Sequence, residues 1–313
     1  MSGKVPPAGT QVATYRNVDR CAVNTAIFDM TCTHYKPAGE GQVLEEACLI
    51  LADDLFMRDG AKTMVPITNN LVKRHFYQNC TESDIGKSTN RAGKMDPCLK
   101  IYQNCPMMFT KNEDVANGQA NGSRVTVKGV SMKVGEQAFR LKLDNGTTIL
   151  AAYASQVRSI LVEHENDEIF PRRFEISSQT FAFSCKMEIS GEDMFTFMNA
   201  TAFPLISNSC TTGHKLQGCT VDSMLVNDWF YGANWPYVVL SRVKTLDGLY
   251  FRQKLSTDLK KYTKPKAMKD MLKVFREEVS ATVLTDEQYR NLEEAEFVVP
   301  PTPDPDREPN FVY

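Results

Sequence analysis

The sequence predicts an α/β protein: a domain built on a parallel sheet, interrupted by a small antiparallel β-barrel and followed by a disordered acidic tail. Three observations carry that reading. Residues 11–28 pass from a strand-like run through a turn into a helical run, the unit from which parallel sheets are assembled. Between 125 and 199 the apolar period changes to two, with an Asn145-Gly146 hairpin signal inside it. From Val298 onward prolines are mixed with acidic residues, a composition that cannot bury enough apolar surface to fold.

In chain order, Val12-Ala13-Thr14-Tyr15 is strand-like, Arg16-Asn17-Val18-Asp19 turns the chain, and Ala22, Val23, Ala26 and Ile27 mark the apolar stripe of a helix. Asn17 or Asp19 is placed to cap that helix. The apolar run from Val43 to Leu55 carries Asp53-Asp54, which reads as a surface turn. Ile85-Gly86-Lys87-Ser88-Thr89 contains the Gly-Lys-Ser of a phosphate-binding loop. Thr81 stands where that loop needs its first glycine, and the polar residues before Gly86 are not a strand, so a row of inward N–H groups is not expected there.

Pro106 to Thr110 is an apolar run that leads into a Gly- and Asn-rich turn region at 112–123. Val125, Val127 and Val130, then Phe139, Leu141 and Leu143, Ile149 and Ala151, and the runs at 157–162 and 181–189 supply the strands of the expected barrel. Phe203-Pro204-Leu205-Ile206 followed by small polar residues puts Thr211-Thr-Gly-His-Lys-Leu-Gln-Gly218 where a buried strand gives out into a turn and a helix start. Tyr237-Val-Val-Leu240 has the local propensity of a strand and ends in Ser241-Arg242. Ala267, Met268, Met271, Leu272 and Phe275 have helical spacing, and Thr285-Asp-Glu-Gln288 opens a second helix as a capping box. The domain divisions are therefore 1–124 and 200–284 for the parallel-sheet domain, 125–199 for the barrel, and 285–313 for a short helix and the tail.

With 313 residues and 42% hydrophobic composition, the chain is long enough for one large or two modest cores by the usual ~100 to 200 residues per domain. No stretch approaches the roughly 18 apolar residues of a membrane span, Met1 to Thr10 lacks the apolar core of a signal peptide, and no membrane partner is expected. Nine cysteines, odd in number and without a Cys-x-x-Cys pair, fit reduced thiols in an intracellular compartment. Cys32 and His34 have no second ligand pair at zinc spacing, so no metal site is expected.

The net charge of −2 averages two unlike parts. Residues 285–309 carry eight acidic and two basic residues, a net of −6, which leaves +4 elsewhere. Arg252 to Arg276 holds nine basic residues against Asp258 and Asp270, a run that suits phosphates or, equally, a solvated helix face.

Pro204, then Thr212-x-His214-Lys215-x-Gln217-Gly218-x-Thr220, then Tyr237-Val-x-Leu-Ser-Arg-Val243 and Asp247-Gly-Leu249, resembles the fifth and sixth motifs of superfamily-one helicases. The likeness is to the RecD-like, Pif-type (petite integration frequency) branch. Residues 11–24 resemble its fourth motif, and 105–112 with 117–124 the stretch between, so the resemblance runs in register over about 11–255. It implies the second RecA-like motor domain of an ATP-dependent 5′ to 3′ DNA helicase, and a short helix rather than a strand at 237–240.

The resemblance also implies roles. Thr14, Asn17, Thr212, His214 and Lys215 would lie along single-stranded DNA, where hydroxyls, an amide and cations suit a passing phosphodiester backbone. Gln217 and Gly218 would couple the nucleotide to that contact. Arg242 would be the arginine finger, a planar cation for the charge that develops on the γ-phosphate. ATP and Mg²⁺ would be held by the P-loop of a first motor domain, supplied in cis or in trans, so the chain is not expected to hydrolyse ATP alone. A nuclear or organellar setting and DNA repair follow from the same likeness. The alternative from another class is a non-enzymatic module that keeps the single-strand DNA track without a motor.

Overall fold

The computed structural model describes residues 5–34, 44–79, 95–165, 173–189, 191–232, 235–258 and 261. In order they form β1 (Gln11–Thr14), α1 (Asn17–His34), β2 (Leu44–Leu51), β3 (Asp53–Arg58), β4 (Met64–Pro66), α2 (Asn70–Asn79), β5 (Cys98–Tyr102) and β6 (Pro106–Phe109). There follow β7 (Arg124–Met132), β8 (Phe139–Lys142), β9 (Thr148–Tyr153), β10 (Val157–His164), β11 (Arg173–Ile176), β12 (Gln179–Ile189) and β13 (Glu192–Ala202). The last elements are β14 (Leu205–Ser207), β15 (Cys210–Thr212), β16 (Met224–Val226), α3 (Trp235–Leu240) and β17 (Leu249–Phe251).

The sheet that positions the candidate site has the order β15-β1-β16-β17, with every pairing parallel. Ala13, Leu216, Met224, Val226, Trp235 and Val239 form its core. The expected strand and helix at 11–28 are both present, but the stripe that α1 buries is Arg20, Asn24, Phe28 and Cys32, while Ala22 and Ala26 are exposed. The reason is polar. Asn24 Nδ2 donates to the carbonyls of Ser207 (3.2 Å) and Cys210 (2.9 Å), and its Oδ1 accepts from the Cys210 N–H at 2.7 Å. An amide that completes the backbone bonding of β15 belongs inside, and an apolar count along the helix passes over it.

Two further sheets lie face to face. One has the order β11-β10-β7-β6-β14 and the other β5-β2-β9-β8. Val125, Val127, Ile160 and Val162 from the first pack against Ile50, Leu99 and Ile101 from the second. The predicted hairpin at Asn145-Gly146 is the β8–β9 turn, with Gly146 at φ 83°. A fourth sheet, β12-β13-β3-β4, packs Phe181, Phe183 and Met198 against Val72 and Phe76 of α2. That helix starts where Asn69 Oδ1 accepts from the N–H of Leu71 at 2.8 Å.

A self-contained barrel over 125–199 is therefore not what forms. Its strands lie in three sheets, where they pair with β2, β3 and β6 from outside that range. Alternation identifies strands and leaves their partners open. Asp53-Asp54 is not a surface turn: Asp53 is half-buried at the start of β3, its carboxylate accepts from the Ser155 N–H at 2.9 Å and from the Ser155 hydroxyl, and burial raises its pKa. Asp54, at φ 48°, accepts from the Thr201 hydroxyl at 3.1 Å. The Gly86-Lys87-Ser88 segment, the predicted helices after 266 and the acidic tail lie outside the described residues.

The assignment of the α1 stripe has a direct test. Asn24→Ala leaves the buried Cys210 N–H without its acceptor, a loss of about 1–3 kcal/mol, whereas Ala26→Lys, on the exposed side, should change stability by less than about 0.5 kcal/mol. Urea unfolding of the two variants should rank them in that order; the reverse ranking would restore the apolar stripe.

Candidate functional site

The carboxyl ends of β1, β15 and β16 lie side by side, and the residues singled out by the sequence gather there. Thr14 is the register partner of Thr212 across the β1–β15 pair. Both are buried, Thr14 completely and Thr212 to 7% exposure. After Thr212 the chain makes a 3-10 turn, Gly213–Leu216, instead of a full helix, leaving His214 exposed and Lys215 half-buried. Asn17, the first residue of α1, is exposed and accepts from Arg20 Nε at 3.4 Å. Asp19 pairs with Arg16 at 2.7 Å, which raises the Arg16 pKa.

Thr14 is not presented to a ligand. Its hydroxyl donates to Asp228 Oδ1, and the Tyr15 N–H donates to Asp228 Oδ2 at 2.9 Å. Asn227 Nδ2 adds a bond to Asp228 at 3.3 Å, and Arg252 Nη1 donates to Asn227 Oδ1 at 2.8 Å. The sequence reading missed Asp228. Its signal was the Asn-Asp pair directly after the apolar Met224-Leu-Val226, a strand end beside another strand end. Burial pushes the Cys210 thiol up to about 12, so that cysteine supplies no thiolate to the site.

Gln217 and Gly218 are exposed at the end of the 3-10 turn, with Gly218 at φ 80°. Three residues on, the Val221 N–H donates to the Arg242 carbonyl at 2.8 Å, and the Lys244 N–H donates to the Val221 carbonyl at 3.1 Å. The two motifs are thus joined through the backbone. Their second junction is steric: a Cβ on Gly213 would lie 2.6 Å from Trp235 Nε1 and 2.9 Å from Val239 Cγ2.

Residues 237–240 are helical, as the resemblance implied and local propensity did not. In α3 Trp235 and Val239, one turn apart, are buried while Tyr237 and Leu240 are exposed. Pro236 fits because it stands in the first turn, where no N–H is needed. Arg242 follows the helix, half-buried. Its Nη2 donates to Ser241 Oγ at 2.8 Å and its Nε to the Val238 carbonyl at 3.2 Å, and it makes no ion pair among the described residues. Among the described residues no group of His, Cys, Asp or Glu could hold a metal ion, and no helix is long and apolar enough to cross a membrane.

No protein-family model and no curated protein matches the sequence. Solved structures do. A Pif1 helicase from Candida albicans matches at TM-score 0.50 and 16% identity, over 89% of this chain and 51% of that one. A structure of two coordinating Pif1 helicases that unwind forked duplex DNA matches at TM-score 0.50 and 16% identity, over 88% and 46%. The fold is that of part of a Pif1 helicase. A Bacteroides Pif1 bound to single-stranded DNA is similar at TM-score 0.49 and 17% identity, over 88% and 47%. The chain thus spans about half the length of these Pif1 structures, and at such identities the likeness to Pif1 is one of fold.

The Gly213 junction predicts a measurable fault. Gly213→Ala forces the new methyl into the Trp235 ring, an overpacking of about 1–3 kcal/mol. The expected result is a lower urea midpoint together with a shift in tryptophan emission as α3 is displaced. An alanine variant with the parent's midpoint and emission would show that the contact is slack.

Proposed function

We propose that this chain is the second motor half of an ATP-dependent 5′ to 3′ DNA helicase, giving single-stranded DNA contacts and an arginine finger to an ATP site completed by a P-loop domain in cis or in trans. The observation that carries the proposal is Arg242. Arg242 is half-buried, its guanidinium is held by Ser241 and the Val238 carbonyl, and among the described residues it meets no carboxylate. A cation so placed is suited to an anion arriving from outside the domain.

In this reading the chain would meet the nucleotide on one side only. Arg242 would reach the terminal phosphate, and Gln217 with Gly218 lies on the segment tied to the Arg242 backbone through Val221. Hydrolysis of ATP would supply the energy for unwinding, and its other phosphates and Mg²⁺ would be held by the P-loop domain. The DNA backbone would pass over Asn17, His214 and Lys215, which are at least partly exposed, with Thr212 behind them. Thr14 would act from beneath, fixing the end of β1 through Asp228. The unwinding of forked DNA by the matched Pif1 helicases agrees with this reading, which extends to a nuclear or organellar setting and a part in DNA repair.

Three measurements test it. The chain alone should release no phosphate from ATP above background, with or without single-stranded DNA; turnover abolished by Lys87→Ala would overturn the need for a separate P-loop. Fused to a P-loop domain from a related helicase, it should hydrolyse ATP when DNA is added, and Arg242→Ala should lower that rate by about 10³- to 10⁵-fold at unchanged DNA affinity. Arg242→Lys keeps charge without the planar fork and should lose most of the rate as well. If the fused pair binds DNA but Arg242→Ala hydrolyses ATP at the parent rate, the finger is misassigned and a non-enzymatic binding module takes its place.

Single-strand affinity should be weak and salt-sensitive. Lys215→Ala should flatten the logarithmic salt slope by about 0.7, the share of one phosphate on a single strand. Removing 285–313, with its net charge of −6, should tighten binding. Fluorescence anisotropy across a salt series reads both, and an unchanged slope would remove Lys215 from the track.

A further inference from the structure

The backbone of Arg242 is fixed from two directions. Its N–H donates to the Val239 carbonyl at 3.1 Å, continuing the turn of α3, and its carbonyl accepts from the Val221 N–H at 2.8 Å. Only the side chain is left to be placed, and the hydroxyl beside it does so. Ser241 Oγ accepts from Arg242 Nε at 3.2 Å and from Nη2 at 2.8 Å, while its own proton goes to the Val238 carbonyl at 3.2 Å. A serine hydroxyl has one donor and two acceptor lone pairs, and here all three are in use. The Ser241 N–H donates to the Tyr237 carbonyl at 3.0 Å, so the hydroxyl rides on the last turn of the helix and not on a free loop.

We propose that Ser241 is a positioning residue, whose hydroxyl holds the Nε–Nη2 edge of Arg242 so that the opposite edge, Nη1 with the second proton of Nη2, meets the terminal phosphate of the nucleotide. The inference rests on the reading of Arg242 as the arginine finger. A guanidinium carries five N–H donors in a rigid planar fork, and fixing one edge fixes the direction of the other. Nη1 bonds nothing among the described residues.

The kind of partner matters as much as its place. Arg16 and Arg173 are held at 2.7 and 2.9 Å by carboxylates, which neutralise them and would compete with a phosphate. A hydroxyl and a carbonyl orient the fork and leave its charge intact. The bond from the Ser241 hydroxyl to Val238 is a local habit of serine at a helix end; the two bonds accepted from Arg242 are additional to it. A cation already in place when charge develops on the phosphate costs no reorganisation at that moment.

The test uses the chain fused to a P-loop domain. Ser241→Ala and Ser241→Val should lower the DNA-stimulated kcat about 10- to 100-fold, the effect of a misplaced catalytic group, at an unchanged KM for ATP. Ser241→Thr keeps the hydroxyl in the shape of valine and should restore kcat. In the Arg242→Ala background Ser241→Ala should cost nothing further, because a residue that acts through Arg242 has nothing left to place. Ser241 is exposed, so all these variants should keep the parent's urea midpoint. A second readout needs no partner domain: in the chain alone the Arg242 Nε–H resonance, identified by its loss in Arg242→Ala, should exchange with water faster in Ser241→Val than in the parent or Ser241→Thr. If Arg242→Ala slows the fused pair while Ser241→Val does not, if Ser241→Thr is as slow as Ser241→Val, if the double variant is slower than Arg242→Ala alone, or if Nε–H exchange is equal in all, Ser241 does not place the finger and this inference falls while the finger stands. Turnover at the parent rate in Arg242→Ala would instead remove the finger itself, and this inference with it.

Discussion

The arrangement of the candidate site depends on one steric fact, the absence of a side chain at Gly213. The 3-10 turn that carries His214 and Lys215 lies directly against Trp235 and Val239, at a separation that a single methyl group would violate. Close approach of this kind is a use of glycine distinct from its freedom at positive φ. Because α3 rests on the turn, and because the Val221 N–H holds the Arg242 carbonyl, the cationic end of one motif is fixed relative to the polar turn of the other. Neither motif contains the information alone. The packing that joins them also buries the largest side chain of the sheet's core, Trp235, completely, so a displacement of the turn cannot be local.

Beneath that junction the strand ends are closed from inside. Asp228 takes up the Thr14 hydroxyl and the Tyr15 N–H together, and Tyr15 in turn stacks on Phe230 with ring centroids 3.9 Å apart. A buried hydroxyl and a strand-end N–H left without acceptors would each cost about 1–3 kcal/mol. One carboxylate removes both costs, and in doing so withdraws Thr14 from direct contact with a ligand. Asn17, His214, Gln217 and Gly218 are exposed instead, and Lys215 and Arg242 partly so. The division between residues that shape the surface and residues that form it follows from hydrogen-bond accounting alone.

How much of this the sequence disclosed varies with the range of the interaction. The β1–α1 unit, the Asn145-Gly146 hairpin and the strands from Val125 to Ile189 were legible because each is encoded within a few residues. The helix at 237–240 was legible only through the family resemblance, since its β-branched residues favour a strand and the burial of Trp235 and Val239 overrides them. Asn24 and Arg20 were illegible as interior residues because they are polar, and Asn24 finds its partners 183 and 186 residues away. The same distance problem defeated the barrel. Strands β7, β10 and β12 stand where short apolar runs were expected, yet nothing in such a run names its neighbour. Asp53 failed for a third reason: a carboxylate after an apolar run looks like a surface turn until Ser155, far along the chain, arrives to bond it.

Arginine pairing separates surface decoration from candidate function. Arg16, Arg124 and Arg173 each stand near a carboxylate, at 2.7, 3.8 and 2.9 Å, and their charges are answered within the chain. An exposed arginine without a partner is equally unremarkable, because water solvates it. Arg242, half-buried after α3, falls in neither group. Arg242 has lost part of its hydration without gaining an ion pair among the described residues, and its hydrogen bonds to a hydroxyl and a carbonyl compensate only in part. A charge kept in place and left unanswered is a small standing cost, and a fold retains it most readily where an anion completes it. On that physical ground Arg242, just after α3, is suited to an anion that comes from outside the described residues.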